Sequence, residues 1–412
     1  MFSLLNTLAN GQYVFPNEEK ELQWSVLIVL YPYLTGLVAG AFILASLVRV
    51  FNARAVAPTY RLALLTALAF LICAPIPLVT HLGHMERAWE IMVTPHLSSA
   101  MAIFGFVYLW YLMVVLLLEI WFDYRADIVE KSKTSRGFLK FFYNVLTLGV
   151  KDVSPKALAF DDKAGRFLTI VGIPSAVLLH GYVGFIFGSL KSNPWWSSVL
   201  MPIIFLLSAI VSGIAMVMLI YIVATKVRKG IQNVPCLDAI ARYLMYALIF
   251  DLTLELLDIV HRIYEAGEWV EILSLLTSGY LFWTIFGLQL FLGGLVPLMM
   301  IALTRAIWPH PSMRGAVYTA AGALVLIGVL AMRWNVVIGG QLFSKSLQGL
   351  TTYRLELVEY EGVLGAVSLL ILPLVLLFVL VKLLPPWHHG SMDTEDAQAP
   401  EPSPAVEQTV PA

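Results

Sequence analysis

Three acids, Asp251, Glu255 and Asp258, fall inside one largely apolar stretch at roughly 241–262. Spacings of four and three residues put them on one face of a helix, and Arg262 continues that face. Ionisable groups in hydrocarbon are costly, so they face a cavity, a polar partner or a route for protons. Asp251 lies near the middle of the stretch and is the deepest of the three. Two readings follow: a proton path, or base for a bound quinol, and a purely structural acid–arginine network between packed helices. Depth in the membrane favours the first.

The histidines add a second pattern. Of eight, His310 belongs to an inner loop and two to the C-terminal tail, while His81, His84, His96, His180 and His261 map to the outer half or outer surface. His180 alone sits well inside a span. A neutral imidazole can hydrogen-bond a quinone carbonyl and exchange a proton near neutral pH. For any one of the five, a hydrogen-bonded packing role is the commoner case; the one-sidedness of the set is harder to explain that way. It also bears on haem. Electron transfer across the bilayer through two haems needs axial ligands in both halves, and the inner half offers no intramembrane histidine. A single outer haem on His180 and a second outer histidine stays open. His81 and His84 form an H-x-x-H pair that lacks evident third and fourth metal ligands. The two cysteines, Cys73 and Cys236, exclude a disulfide framework, a Cys-ligated cluster within the chain and covalent CxxCH haem.

The elements that position these groups are membrane helices. The chain is 59% hydrophobic and 13% charged, with a mean hydropathy of +0.82, where soluble domains are about a quarter charged. The expected fold is therefore an all-α polytopic integral membrane protein. Uncharged stretches predict spans at 24–48, 62–80, 97–118, 167–190, 198–225, 277–304, 315–332 and 362–381. The acid-bearing segment at 241–262 makes about nine transmembrane helices. With the N-terminus outside and the C-terminus inside, 19 of the 26 Lys and Arg fall on inner segments, which satisfies the positive-inside rule. That count places Arg333 in an outer segment.

Residues 1–23 then form an extracytoplasmic N-terminal segment, 24–384 a transmembrane domain and 385–412 a disordered, Pro-rich, acidic cytoplasmic tail. The N-terminal segment lacks the basic start of a cleavable signal peptide, so insertion falls to the first span. The basic inner loop 123–165 contains FLKFFYNVL, which suits an amphipathic helix along the membrane surface. Trp89, Trp195 and Trp196 suit an interfacial aromatic belt. Gly and Pro recur within spans, as in YPYLTGLVAGAF, CAPIPL and FLGGLVPL, which suits close helix contacts and kinks. Net charge is −1, and nothing points to nucleic acid.

Four stretches resemble the NrfD/polysulfide reductase membrane-subunit (PsrC-like) family. They are YPYLTGLVAGAFILA, LGHMERAWEIMVTPHLSSAMAIFGF, HGYVGFIFGSLKSNPWWSSVLMPIIFLLSAIVSGIA and MRWNVVIGGQ. The second departs from the family signature: Met85 replaces a usual Pro, and Ala102-Ile103 a usual Ser-Trp. The fourth is similar to the longer branch found in menaquinone reductase, Dsr-type and hydrogenase-2-like complexes. The resemblance implies two four-helix bundles plus an extra helix, and a quinone (menaquinone or ubiquinone) as substrate near the extracytoplasmic face. It implies no haem or iron–sulfur cluster in this chain. An extracytoplasmic iron–sulfur subunit would be its partner, with multihaem cytochrome or molybdoenzyme-like subunits beyond. Carried onto this sequence, the quinone site would involve Tyr33, His81 or His84, His180 and Tyr182, with Asp251, Glu255 and Asp258 handling protons.

The expectation is thus the quinone-reactive subunit of a respiratory oxidoreductase in the cytoplasmic membrane, not an enzyme alone. Two rivals are a proton-coupled secondary transporter, against which the lack of an internal repeat argues, and a purely structural anchor.

Overall fold

The computed structural model of the chain describes residues 24–94, 96, 98–230, 233–265, 272–274, 276–277, 279–307, 310–343, 353–359 and 361–387. The expected N-terminal segment and the tail from 388 onward lie outside them.

Among the described residues, nine long helices carry the fold. We number them with one short surface helix, α4, in chain order: α1 (Val26–Arg49), α2 (Arg54–His81), α3 (Ala100–Leu109 continuing through Trp110–Leu116 into Leu117–Thr134), α4 (Gly137–Leu146), α5 (Pro155–Gly188), α6 (Met201–Val227), α7 (Val234–Glu265), α8 (Tyr280–Ile307), α9 (Pro311–Leu342) and α10 (Val363–Leu383). Eight are long and apolar enough to cross a membrane. The ninth, α7, is as long but carries the three acids. The about nine spans read from hydropathy are all present.

Several helices run past their apolar cores. α3 continues to Thr134 and α5 begins at Pro155, well outside the apolar stretches that predict them. Hydropathy registers only the lipid-soluble part of a helix, whereas the backbone ladder continues wherever polar side chains find partners. Here they do. Arg61 of α2 holds Asp123 at 2.7 Å and Asp127 at 2.6 Å on α3, and Arg125 of α3 holds Asp161 of α5 at 2.6 Å. Arg314 of α9 holds Asp238 of α7 at 2.5 Å. These pairs define a basic end of the molecule.

The helices pack as two groups of four, α1, α2, α3 and α5 against α6, α7, α8 and α9, with α10 outside against α2. The seam is α1 on α6. α1 is buried along nearly its whole length, as an all-apolar helix must be if it is to sit inside other protein. Glycine sets the closeness of two crossings. A Cβ on Gly40 of α1 would lie 2.7 Å from the Gly213 Cα of α6, and one on Gly328 of α9 would lie 2.9 Å from the Gly293 carbonyl carbon of α8. Prolines act at CAPIPL, where α2 breaks between Cys73 and Ile76.

Three segments widen into π-helix: Trp110–Leu116, Trp283–Leu295 and Asn335–Gly339. Such turns shift the register of side chains and leave carbonyls in need of donors. In α9 those donors are indoles: Trp195 Nε1 donates to the Asn335 carbonyl at 3.0 Å and Trp196 Nε1 to the Val336 carbonyl at 2.6 Å. Trp196 is buried at this end and stacks on Trp24 at 5.3 Å, and Trp195 is half-buried beside it.

Candidate functional site

α9 delivers Arg333 into the seam between the two bundles, where neither it nor His180 of α5 has any exposed surface. The guanidinium donates from Nη2 to His180 Nε2 at 3.0 Å, to Ser208 Oγ at 2.7 Å and to the Phe205 carbonyl at 3.2 Å. It also lies over the Phe205 ring, 4.0 Å from its centroid. Arginine only donates, so its contact assigns Nε2 of His180 as the acceptor and puts the proton on Nδ1. Nδ1 faces Thr35 Oγ1 at 3.4 Å, and that hydroxyl donates onward to the Tyr31 carbonyl at 3.0 Å. Gly36 makes room for the ring, since a Cβ there would lie 3.2 Å from His180 Cε1.

The acid face of α7 turns to the same arginine. Asp251, Glu255 and Asp258 are all buried, and Asp251 and Glu255 are the carboxylates within electrostatic reach of Arg333. Glu255 accepts from Gln289 Nε2 at 3.1 Å, and Gln289 Oε1 accepts from Asn335 Nδ2 at 2.8 Å. The π-turns of α8 and α9 carry these two amides. Asp258 is saturated: Ser198 Oγ donates at 2.5 Å and Arg262 Nε at 2.6 Å, while Arg262 also reaches the Pro194 and Trp195 carbonyls. Among the described residues, Asp251 Oδ1, Arg333 Nε and Asn335 Oδ1 are buried with no hydrogen-bond partner. Each such atom costs about 1–3 kcal/mol of desolvation, so the cluster retains donors and acceptors for further chemistry. A cleft, partly open to the surroundings, is lined by Glu255, Asp258, Arg262, Gln289, Asn335 and Trp195 among others. A smaller one shares Glu255 and Gln289 and reaches Asp251.

The other predicted residues spread out from this cluster. Tyr33 of α1 donates to the Leu326 carbonyl of α9 at 3.2 Å and lies within electrostatic reach of Arg333. Tyr182, two residues beyond His180, turns away and stacks on Phe185 at 6.3 Å, near Tyr31. His81, at the end of α2, pairs with Glu361 at 2.9 Å, and His84 lies exposed against Glu86 at 3.0 Å. The structure thus brings together His180, Tyr33, Asp251 and Glu255 through Arg333. It does not bring His81 or His84 into that cluster.

The family model described as "Polysulphide reductase, NrfD" matches residues 14–345. The chain belongs to the NrfD family. A selenate reductase subunit of Mesobacillus selenatarsenatis is 30% identical over 379 residues, covering 88% of this sequence and 85% of its own. A polysulfide reductase component of Wolinella succinogenes is 25% identical over 329 residues, 78% of this sequence and 95% of its own. The Hdr-like menaquinol oxidoreductase integral membrane subunit of Archaeoglobus fulgidus is 24% identical over 380 residues, 88% and 85% of the two sequences. This NrfD protein is accordingly an integral membrane subunit of the oxidoreductase kind.

Sequence reading misses the residue at the centre of its site. Arg333 follows an apolar stretch directly and precedes Trp334, which reads as the interfacial edge of a span. α9 instead continues to Leu342, so the arginine lies within the helix and is buried. Gln289 and Asn335 give no sequence signal, because π-turns set their direction. Another buried carboxyl, Glu119 of α3, is also missed, since it falls one residue beyond the stretch 97–118. Thr169 Oγ1 donates to it at 2.6 Å and Tyr60 OH at 3.3 Å, and its Oε2 makes no hydrogen bond among the described residues.

Proposed function

We propose that this NrfD subunit exchanges electrons between a membrane quinone and an extracytoplasmic iron–sulfur subunit. The subunit lies in the cytoplasmic membrane with its basic end inside. The observation that carries the reading is the buried link from His180 through Arg333 to Asp251 and Glu255, with a cleft opening beside it. Reduction of a quinone consumes two electrons and two protons, and oxidation of the quinol returns them. The electrons pass to or from the partner; the protons need titratable groups within hydrogen-bonded reach. Arg333 holds positive charge where a quinone oxygen gains negative charge. Asp251 and Glu255 relay the protons, and Gln289 and Asn335 orient the carboxyl of Glu255. Tyr33 brings a hydroxyl from α1 within electrostatic reach of Arg333, while Tyr182, His81 and His84 lie outside this cluster.

Asp258 supports a second reading. Its carboxylate is fully engaged by Ser198 and Arg262, and Arg262 clamps the carbonyls of the α5–α6 loop. It suits a structural strut as well as a last proton step.

The test is quinone binding and turnover in the purified complex. Asp251→Asn and His180→Ala are each expected to lower kcat by about two to four orders of magnitude, the range for a lost proton-transfer group. Turnover and binding unaffected by both changes would sink these residue assignments.

A further inference from the structure

We infer that α4, with the loops that flank it, is a surface anchor seated in the lipid interface at the basic end, where its lysines and arginines bind anionic lipid headgroups.

The helix has three faces. Tyr143 and Thr147 are buried against the protein. The Tyr143 hydroxyl donates to the Leu383 carbonyl at 2.8 Å, Lys131 Nζ donates to the same carbonyl at 2.7 Å, and Trp121 Nε1 donates to the Leu146 carbonyl at 2.8 Å. A second face presents Phe138, Phe141 and Val145, with Phe138 77% exposed, and Leu148 is 68% exposed just past the helix end. At 100° per residue the three helical residues share one stripe. The third face carries Lys140 and Asn144, and Lys151 donates to the Asn144 side chain at 3.0 Å.

Its depth is fixed by Leu383, the last residue of α10. α10 exposes Leu374, Val375, Phe378 and Val379 along its outward side, as a lipid-facing span does, and α4 is tied to the carbonyl where that span ends. The bare stripe of α4 therefore continues the lipid-facing surface into the interface. The chain bends sharply at both ends of α4, with positive φ at Gly137, Leu148 and Gly149, which separates its direction from those of α3 and α5.

Charge supplies the ligand class. Lys133, Arg136, Lys140, Lys151, Lys156, Lys163 and Arg166 are all exposed, against the exposed acids Glu130, Asp152 and Asp162. Asp152 is already held by the Ser154 backbone N–H at 2.9 Å and its hydroxyl at 3.2 Å, which lower its pKa. An apolar stripe beside a basic rim matches an interface of acyl chains under anionic headgroups. The inference stands whatever redox partner the subunit serves.

The experiment uses the full chain in liposomes. Single cysteines replace Lys140, Phe141, Asn144 and Val145 in turn and carry a nitroxide; Cys73 and Cys236 are buried and leave the new site to the reagent. Labels at 141 and 145 are expected to relax more with oxygen than with a soluble nickel chelate, and labels at 140 and 144 the reverse. Nickel access at all four overturns the seating, and so does protection of 141 and 145 from both reagents, which would mean a protein cover. Spin-labelled phosphatidylglycerol should be retained over phosphatidylcholine, with a loss on the order of fivefold per charge removed in the series K133Q, K140Q, K151Q and K156Q. Equal retention of the two lipids by the unaltered chain overturns the headgroup assignment.

Discussion

A guanidinium with no exposed surface is held by His180, Ser208 and the Phe205 carbonyl, with Asp251 and Glu255 of α7 within electrostatic reach. Removing one member of a buried ionic set leaves the others uncompensated, at roughly 3–5 kcal/mol. Arg333→Met should therefore lower the melting temperature of the purified subunit markedly. Asp251→Asn on the same chain should recover part of the loss, with a coupling of about 0.5–3 kcal/mol. Thermal melts of the two single variants and the double variant measure that coupling. Strict additivity would separate Asp251 from the arginine and remove the link on which the proposed proton relay depends. The acids were legible in the sequence because four-and-three spacing inside an apolar stretch admits few other geometries. Their partner was not, because an arginine at the margin of a span looks the same whether it snorkels outward or turns in. Only the continuation of α9 past Arg333 decides between the two.

At the scale of elements, hydropathy located every span but understated those that project beyond lipid. The polar extensions of α3 and α5 are helical because Arg61 and Arg125 find carboxylates across the gap, a pairing distant in sequence. The π-turns that aim Gln289 and Asn335 were likewise illegible, since WTIFGLQLFLGGL and NVVIG carry no mark that distinguishes them from α-helix. The glycine-rich stretches were legible as close contacts without their partners. Their energetic weight can be measured by contrast. Gly213→Ala would push a methyl into the Gly40 backbone, whereas a Cβ on Gly181 meets nothing within 4 Å. Overpacking at such a crossing costs about 1–3 kcal/mol, while Gly→Ala in an open helix position gains up to about 1 kcal/mol. Gly213→Ala should thus lose folded protein in detergent at a temperature that Gly181→Ala survives, as followed by size-exclusion chromatography after heating. Equal survival would mean that α1 and α6 can separate without consequence for the fold.

The whole molecule is polarised, with ion pairs at the basic end and the His180–Arg333 cluster toward the other. Orientation fixes what this polarity means for energy conservation. Thiol labelling from outside intact cells should reach Val199→Cys, which lies 92% exposed beyond α5, and spare Arg136→Cys; the opposite pattern would invert the proposed topology. With the basic end inside, Glu119 becomes the carboxyl closest in kind to Asp251 on the proton-supplying side. A series of contacts leads to it from the surface: Asp162 to Arg49 at 3.2 Å, Arg49 to Tyr60 at 2.6 Å and Tyr60 to Glu119 at 3.3 Å. Arginine does not release its proton, so Arg49 would hold the series in place, and a proton route to Glu119 would have to pass it along Tyr60 and Thr169. Glu119→Gln keeps the shape and the hydrogen bonds of a neutral carboxyl but removes its titration. If protons for quinone chemistry come from inside, this variant should still turn over quinone with an artificial electron partner, yet lose the alkalinisation of the basic side. A pH dye enclosed in oriented proteoliposomes reads that change directly. Unchanged alkalinisation at equal turnover would leave Glu119 as a structural acid of the first bundle and send the inner protons by another route, whereas no alkalinisation even by the unaltered chain would confine proton exchange to the α7 face, with electron transfer and charge movement at one end of the molecule only.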